Sequence, residues 1–333
     1  MENVMIYGAG AIGSFVGYLL SEVAGDTLIE NVALLGRKSH IQKIIKAGLR
    51  IDFPEGHKCL RFRHCFSSPN ELCSSNFFPD IVIVCVKTYS LQRALDEIMA
   101  SGALNGNLKN ADFMLLMNGM GNREVFNQIS HNVFEGITSI GVNFPEDGSI
   151  ELKGRGKTVF EYGIGQEIRH FMSEMFREKG FEIEFANDFK NHQWNKLFVN
   201  SVINPITALT RKHNGIVLSK YLEDAIENII EECASVAAKD GCVANKDLVL
   251  DLVHLITSKT SMNTSSMLQD VQRGRMTEID SINGYVISLA RKHDMKVPVN
   301  ETLYALMKSM EDTTFNSETL HPEAPNRGPS CKP

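Results

Sequence analysis

The stretch VMIYGAGAIGSF, residues 4–15, decides the fold. Apolar residues run directly into Gly8, glycines follow at 10 and 13, and a helix-forming stretch comes next. A short strand, apolar on both faces, that turns at once into a helix is how a parallel sheet covered by helices begins. The spacing G8-A-G-A-I-G13 gives the turn a purpose. Gly8 permits a tight bend, Gly10 lets backbone approach a diphosphate, and Gly13 lets helix and strand pack closely, with the helix N-terminus facing the anion. The turn of Gly8, Ala9, Gly10, Ala11, Ile12 and Gly13 is therefore expected to bind a dinucleotide; the bland alternative is a plain loop between strand and helix.

The alternation continues outward from this unit. β-rich runs at 31–36, 80–87 and 113–118 are separated by helical stretches over 11–23, through IQKIIKAG and through LQRALDEIMA. From residue 136 the runs ITSIGVNF, ELKGRGKTVFEYGIG and FEIEFAN read as further strands or hairpins. Beyond about residue 188 helical patterns take over, at 194–209, 222–240, 246–260, 277–293 and 300–312. The expectation is an α/β chain with a Rossmann-type domain over 1–187, an all-helical domain over 188–318 and a tail over 319–333 rich in Pro, Gly and polar residues.

Composition narrows the chemistry. The 333 residues suffice for two cores, and 43% hydrophobic with 22% charged residues suits a soluble globular chain. A formal charge of −6 gives no basic footprint, which argues against nucleic acid. The seven cysteines lack CxxC pairing and read as reduced structural thiols, without metal. No basic, then apolar, leader opens the chain, and runs such as IVIVCV are too short to cross a bilayer, so the expectation is a cytoplasmic protein with no membrane partner.

The strand ends carry the candidate site. The second strand ends in LLGRKSH, with Arg37 and Lys38 where an NAD site commonly places an acid, which favours NADP over NAD. The bland alternative is a solvated pair of cations. Lys87 in VCVKTYS and Asn118 in LLMNGMGN stand where a crevice forms at the carboxyl ends of parallel strands. In WNKLFVNSVINP, residues 194–205, Lys196, Asn200 and Asn204 recur every four residues, so on a helix they form one polar stripe amid apolar neighbours. Ser266 with Gln269, and Thr277 with Asp280, read as helix caps, and Glu278 could serve a helix dipole or a site.

These residues bring a family into view. Over nearly its whole length, from GAGAIG through VKTYS, LLMNGMG and WNKLFVNSVINPITAL to SSMLQDVQRGRMTEIDSINGYVI, the sequence resembles ketopantoate reductase (2-dehydropantoate 2-reductase). The resemblance implies a Rossmann-type domain followed by an all-α domain like the C-terminal domain of 6-phosphogluconate dehydrogenase. It implies NADPH-dependent reduction of 2-dehydropantoate to pantoate, with Lys196 and Glu278 catalytic and Asn118, Asn200, Asn204 and Ser266 binding substrate. Gly8, Gly10, Gly13, Arg37 and Lys87 match cofactor positions. Ser90 stands where the family often has glutamine, and AGDTLIEN before the second strand is longer than usual. Other readings are a reductase of a different 2-oxo acid and a non-catalytic NADP sensor. A homodimer through the helical domain is compatible with the apolar helices.

Overall fold

The structure, a computed structural model, describes residues 3–22, 28–129 and 131–312. The tail over 319–333 and part of the 24–31 segment lie outside the described residues. β1 (Val4–Tyr7) is fully buried and ends at Gly8, whose φ of +100° turns the chain into α1 (Ala11–Leu19). A Cβ at Gly8 would meet the Val86 side chain at 2.8 Å and the Cys85 backbone at 2.9 Å, so the bend admits only glycine. There follow β2 (Ile29–Leu35), α2 (Lys38–Ala47), β3 (Leu49–Phe53), β4 (Gly56–Leu60), β5 (Phe62–Phe66), α3 (Pro69–Cys73), β6 (Ile81–Val84), α4 (Leu91–Ser101), β7 (Asp112–Leu116) and α5 (Arg123–Phe126). The remaining elements of this half are β8 (Val133–Thr138), β9 (Gly141–Glu146), β10 (Ser149–Gly154), β11 (Thr158–Glu161), α6 (Gln166–Glu178) and β12 (Ile183–Ala186).

Eight strands form one sheet in the order β12-β11-β8-β7-β6-β1-β2-β5. Neighbours are parallel except β11 against β8. With β2 on one side of β1 and β6 on the other, the winding reverses at β1, and a crevice opens beyond the carboxyl ends of these strands. Val4 and Ile6 pack with Phe15, Val16 and Leu19 of α1, while Met5 and Tyr7 pack on the opposite face with Leu91, Leu95 and Ile98 of α4. Cover on both faces is why these strands read as unbroken apolar runs.

Two features depart from the sequence reading. Residues 49–66 carry no strand signal in that reading, yet they form the β3–β4 hairpin and β5. β4 is exposed along four of its five residues, so its hydrophobic alternation is weak. Second, the runs after residue 136 divide: β8, β11 and β12 extend the large sheet, whereas β9 and β10 join β3 and β4 in a small sheet ordered β4-β3-β10-β9. The amphipathic α6 between β11 and β12 is likewise an element that the reading lacks.

The second half is helical: α7 (Phe189–Thr210), α8 (Glu223–Lys239), α9 (Lys246–Lys259), α10 (Ser266–Gln272), α11 (Asn283–Lys292) and α12 (Pro298–Glu311). Its core gathers Trp194, Leu197, Phe198 and Val202 of α7 with Ile226, Ile230, Val253 and Val286. Trp194 is completely buried and donates its indole N–H to Asp240 at 2.9 Å. Truncating such a residue to alanine costs about 3–5 kcal/mol. The helix expected over 277–293 is divided into a 3-10 turn, Ile279–Ser281, and α11. The six described cysteines are free, and among the described residues no helix is long and apolar enough to cross a membrane.

Candidate active site

The glycine turn has the properties of an anion cradle. The first intrahelical bond of α1 runs from Ser14 N–H to the Gly10 carbonyl at 2.9 Å, so the N–H groups of Ala11, Ile12 and Gly13 precede the helical ladder. No side chain caps this end and its first turn holds no acid. Around Gly10 a Cβ would meet only the Gly8 oxygen, at 4.0 Å, which leaves open space above the turn; at Gly13 it would overlap the Gly8 carbonyl. The residues present therefore fit a bound diphosphate.

At the end of β2, Arg37 precedes α2 with its side chain 63% exposed. Its guanidinium lies over the Phe144 ring at 5.3 Å from the centroid and 3.7 Å from Asp147. Close by, His40 is buried between Ser14 of α1, 3.3 Å from its Nε2, and the Gly148 N–H, which donates to its Nδ1 at 2.8 Å. Burial pushes the His40 pKa down to about 4, with Asp147 opposing that and Arg37 and Lys43 adding to it.

The two halves meet in a polar cluster. Lys87, three residues past β6, donates to Asp270 at 2.7 Å and to Glu278 at 3.2 Å. Burial works against this ammonium, but Glu278 and Asp270 outweigh it and hold its pKa above the usual lysine range. Burial raises the Asp270 pKa, and Lys87 restrains the rise. Asn118, two residues past β7, donates to the same Glu278 oxygen at 3.0 Å. The glycine after it, Gly119, has φ +73°, and a Cβ there would overlap Ser281; Met120 N–H donates to the Ser281 carbonyl at 3.0 Å. Gly119 is thus consumed by the approach of the TEID segment and does not open the crevice to a ligand. Thr88 and Ser281 close the contact through their hydroxyls, 3.0 Å apart.

Lys196 reaches the same sheet edge from the helical side, donating to the Thr138 carbonyl at the end of β8 at 2.6 Å. Burial pushes its pKa down to about 8, against the charge of Glu278, which raises it. The helix that carries it is locked by its own proline. Pro205 lies inside α7 and has no N–H for the Ser201 carbonyl; that carbonyl instead accepts from Asn283 Nδ2 at 3.1 Å, and Asn283 is held in turn by Asn300 at 2.9 Å. Asn204 is buried on the same stripe, and Asn200 is half-buried. Among the described residues neither side-chain amide has a hydrogen-bond partner.

The structure thus joins Lys87, Asn118 and Glu278, and sets Lys196 beside them. Ser266 is exposed in the first turn of α10, one turn before Asp270, and among the described residues its side chain makes no hydrogen bond to this cluster. The cap is Ser265, which accepts from Leu268 N–H at 3.1 Å, so the capping assignment to Ser266 is one residue late. Thr277 and Asp280 do not form a capping pair either: Thr277 donates to Glu311 and accepts from Ile279 N–H, and Asp280 pairs with Tyr304 and Lys308. Sequence reasoning missed Asp270, although it sits four residues after Ser266 and on one helix face with it. Two surface cavities, of about 390 and 440 Å³, lie elsewhere, one lined by Tyr18, Phe53 and Phe181 and the other by Glu231, Glu232 and Met295.

Comparison with known proteins matches this plan. The family model described as ketopantoate reductase PanE/ApbA matches residues 4–164, and that for its C-terminal part matches residues 188–311. A 2-dehydropantoate 2-reductase of Pyrococcus horikoshii is 33% identical over 312 residues, covering 93% of this chain and 97% of the relative. A solved PanE/ApbA family ketopantoate reductase from Ralstonia eutropha superposes with a TM-score of 0.81 at 25% identity, covering 93% and 98% of the two chains. D-mandelate dehydrogenase, solved with NADH and anilino(oxo)acetate, shares the fold with a TM-score of 0.81 at 22% identity over 93% of this chain and 98% of that one. With the sheet half and the helical half each matched, and both the glycine turn and the TEID segment inside the matched ranges, the chain belongs to the ketopantoate reductase family.

Proposed function

We propose that this protein uses NADPH to reduce 2-dehydropantoate to (R)-pantoate, a step toward pantothenate and coenzyme A. The observation that carries the reading is Lys196: an ammonium at the meeting point of the two halves, with a pKa lowered to about 8 by burial. Such a group is protonated at neutral pH yet acidic enough to release its proton. When bound, a nicotinamide cofactor would supply the hydride for the substrate carbonyl carbon. Lys196 stabilises the developing alkoxide and then protonates it, making the hydroxyl of the product. Positioned general acids contribute about 10²–10⁴-fold.

The other residues hold the reacting groups in place. Glu278 keeps Lys196 charged, because its carboxylate favours the ammonium against burial. Asn118 orients Glu278 and, with Ser266, takes the substrate carboxylate. Asn200 and Asn204 offer their uncommitted amides to the substrate's remaining polar groups without adding charge. Gly8 to Gly13 would hold the cofactor diphosphate, Lys87 would serve its nicotinamide half, and Arg37 would pair with the 2′-phosphate that distinguishes NADPH from NADH.

The test is oxidation of NADPH with 2-dehydropantoate beside pyruvate and 2-oxoisovalerate. A kcat/KM at least tenfold higher for 2-dehydropantoate, and for NADPH over NADH, is expected. Preference for another acid would replace the substrate assignment, and no NADPH oxidation with any of them would remove the enzymatic reading.

A further inference from the structure

The segment 138–147, which contains β9, links two of the candidate site residues. Thr138, three residues before the strand, accepts the Lys196 ammonium, and Asp147, one residue after it, pairs with Arg37. Nine residues in near-extended form span up to about 30 Å. Its alternation sends Val142 and Phe144 into the core against α1 and leaves Asn143, near the midpoint, facing the other way. There the helical half touches it. Arg273, the C-cap of α10, donates from Nη2 to Asn143 Oδ1 at 2.9 Å.

Arg273 is an exposed cation that, among the described residues, has no carboxylate within 4.0 Å. It begins the turn Arg273-Gly274-Arg275, where Gly274 adopts φ +61°. The turn is anchored from below by Arg275 N–H, which donates to the Asp270 carbonyl at 2.9 Å. The guanidinium is thus fixed at its root by the residue that pairs with Lys87, and at its tip by β9. An amide oxygen leaves its remaining N–H donors and its full charge unspent.

We propose that Arg273 is a cofactor-binding residue, which closes over the dinucleotide from the helical half and pairs with its diphosphate, opposite the glycine turn. The middle of β9 falls between the flank that meets Lys196, assigned to the reacting carbonyl, and the flank that meets Arg37, assigned to the 2′-phosphate, and a diphosphate would lie between those two ends of the cofactor. This rests on the dinucleotide reading above but not on the choice between NADPH and NADH. A cation from the second half would make cofactor binding itself draw the two halves together.

The test measures dissociation constants of NADPH, NADH and ADP-ribose for the wild type, Arg273→Ala, Arg273→Lys and Asn143→Ala. The diphosphate is common to all three ligands, so Arg273→Ala is expected to weaken each by a shared factor of about tenfold, the scale of one charge-assisted hydrogen bond. Arg273→Lys should recover part of that loss. Asn143→Ala, which frees the tip but keeps the charge, should weaken binding less. Unchanged affinities in Arg273→Ala, or weakening confined to NADPH, would overturn the proposal. Equal wild-type affinity for NADPH and NADH would refute the NADP preference alone, and the shared factor would still decide Arg273.

Discussion

The ammonium of Lys87, in the loop after β6, lies 2.7 Å from the carboxylate of Asp270 on α10, 183 residues further along the chain. The pair, with Glu278 as third member, fastens the helical half to the carboxyl edge of the sheet. Lys87→Met should remove the cation that both buried carboxylates contact directly, leaving Lys196 as the charge that offsets Glu278. Breaking a fully buried pair costs about 3–5 kcal/mol. The Lys87 side chain keeps 37% exposure, so about 2 kcal/mol is expected here. Loss of the cation raises the Asp270 pKa further in the folded state. The deficit is therefore expected to be largest near neutral pH and to shrink as acid protonates the carboxylates, which urea unfolding at several pH values would read.

The glycines separate a binding role from a packing role. Gly10→Ala meets no atom closer than 4.0 Å, so thermal stability should stay within about 0.5 kcal/mol while NADPH binding weakens. Gly119→Ala combines a left-handed φ of +73° with overlap against Ser281, and should cost about 2–4 kcal/mol, with loosening of the junction between the halves. Thermal melts beside NADPH titrations of the two variants compare them directly.

Arg37→Ala should raise KM for NADPH by roughly 10- to 150-fold and leave weak NADH use almost unchanged, the range set by a hydrogen bond from guanidinium to phosphate. Equal losses with both cofactors would place Arg37 outside the 2′-phosphate site.

His40 makes stability depend on pH. Its folded pKa of about 4 lies below the usual value of 6.5, so the unfolded chain binds more protons between these limits. The corresponding stability is fully present above about pH 6.5 and is lost as pH falls toward 4, by about 3 kcal/mol in all. His40→Gln, which can still accept from Gly148 N–H through its amide oxygen, should show a flatter profile in chemical denaturation across that window.

The sheet half is legible in the sequence wherever strands are buried on both faces. β1, β2, β6 and β7 announce themselves as apolar runs, and the glycine turn marks the start of the helix after β1. The β3–β4 hairpin escaped because β4 is nearly all exposed, whereas the start of α10 shows as a cap signature placed one residue late. At the site, the stripe of Lys196, Asn200 and Asn204 could be read from its spacing alone. Partnerships could not. That Lys87 would meet Asp270 and Glu278, that Gly119 would yield its space to Ser281, or that Asn283 would take the carbonyl freed by Pro205, depends on how the halves dock. No local pattern encodes contacts between residues so far apart in the chain.

The most direct measurement is the pH dependence of kcat/KM for NADPH-driven reduction of 2-dehydropantoate by the wild type, Lys196→Ala and Glu278→Gln. With Lys196 as the proton donor, wild-type activity should fall above about pH 8 as the ammonium deprotonates, and Glu278→Gln should move that fall to lower pH because the carboxylate that supports the charge is gone. Lys196→Ala should lose about 10²–10⁴-fold and show no such limb. Turnover by Lys196→Ala equal to the wild type, with the same descending limb, would contradict the account.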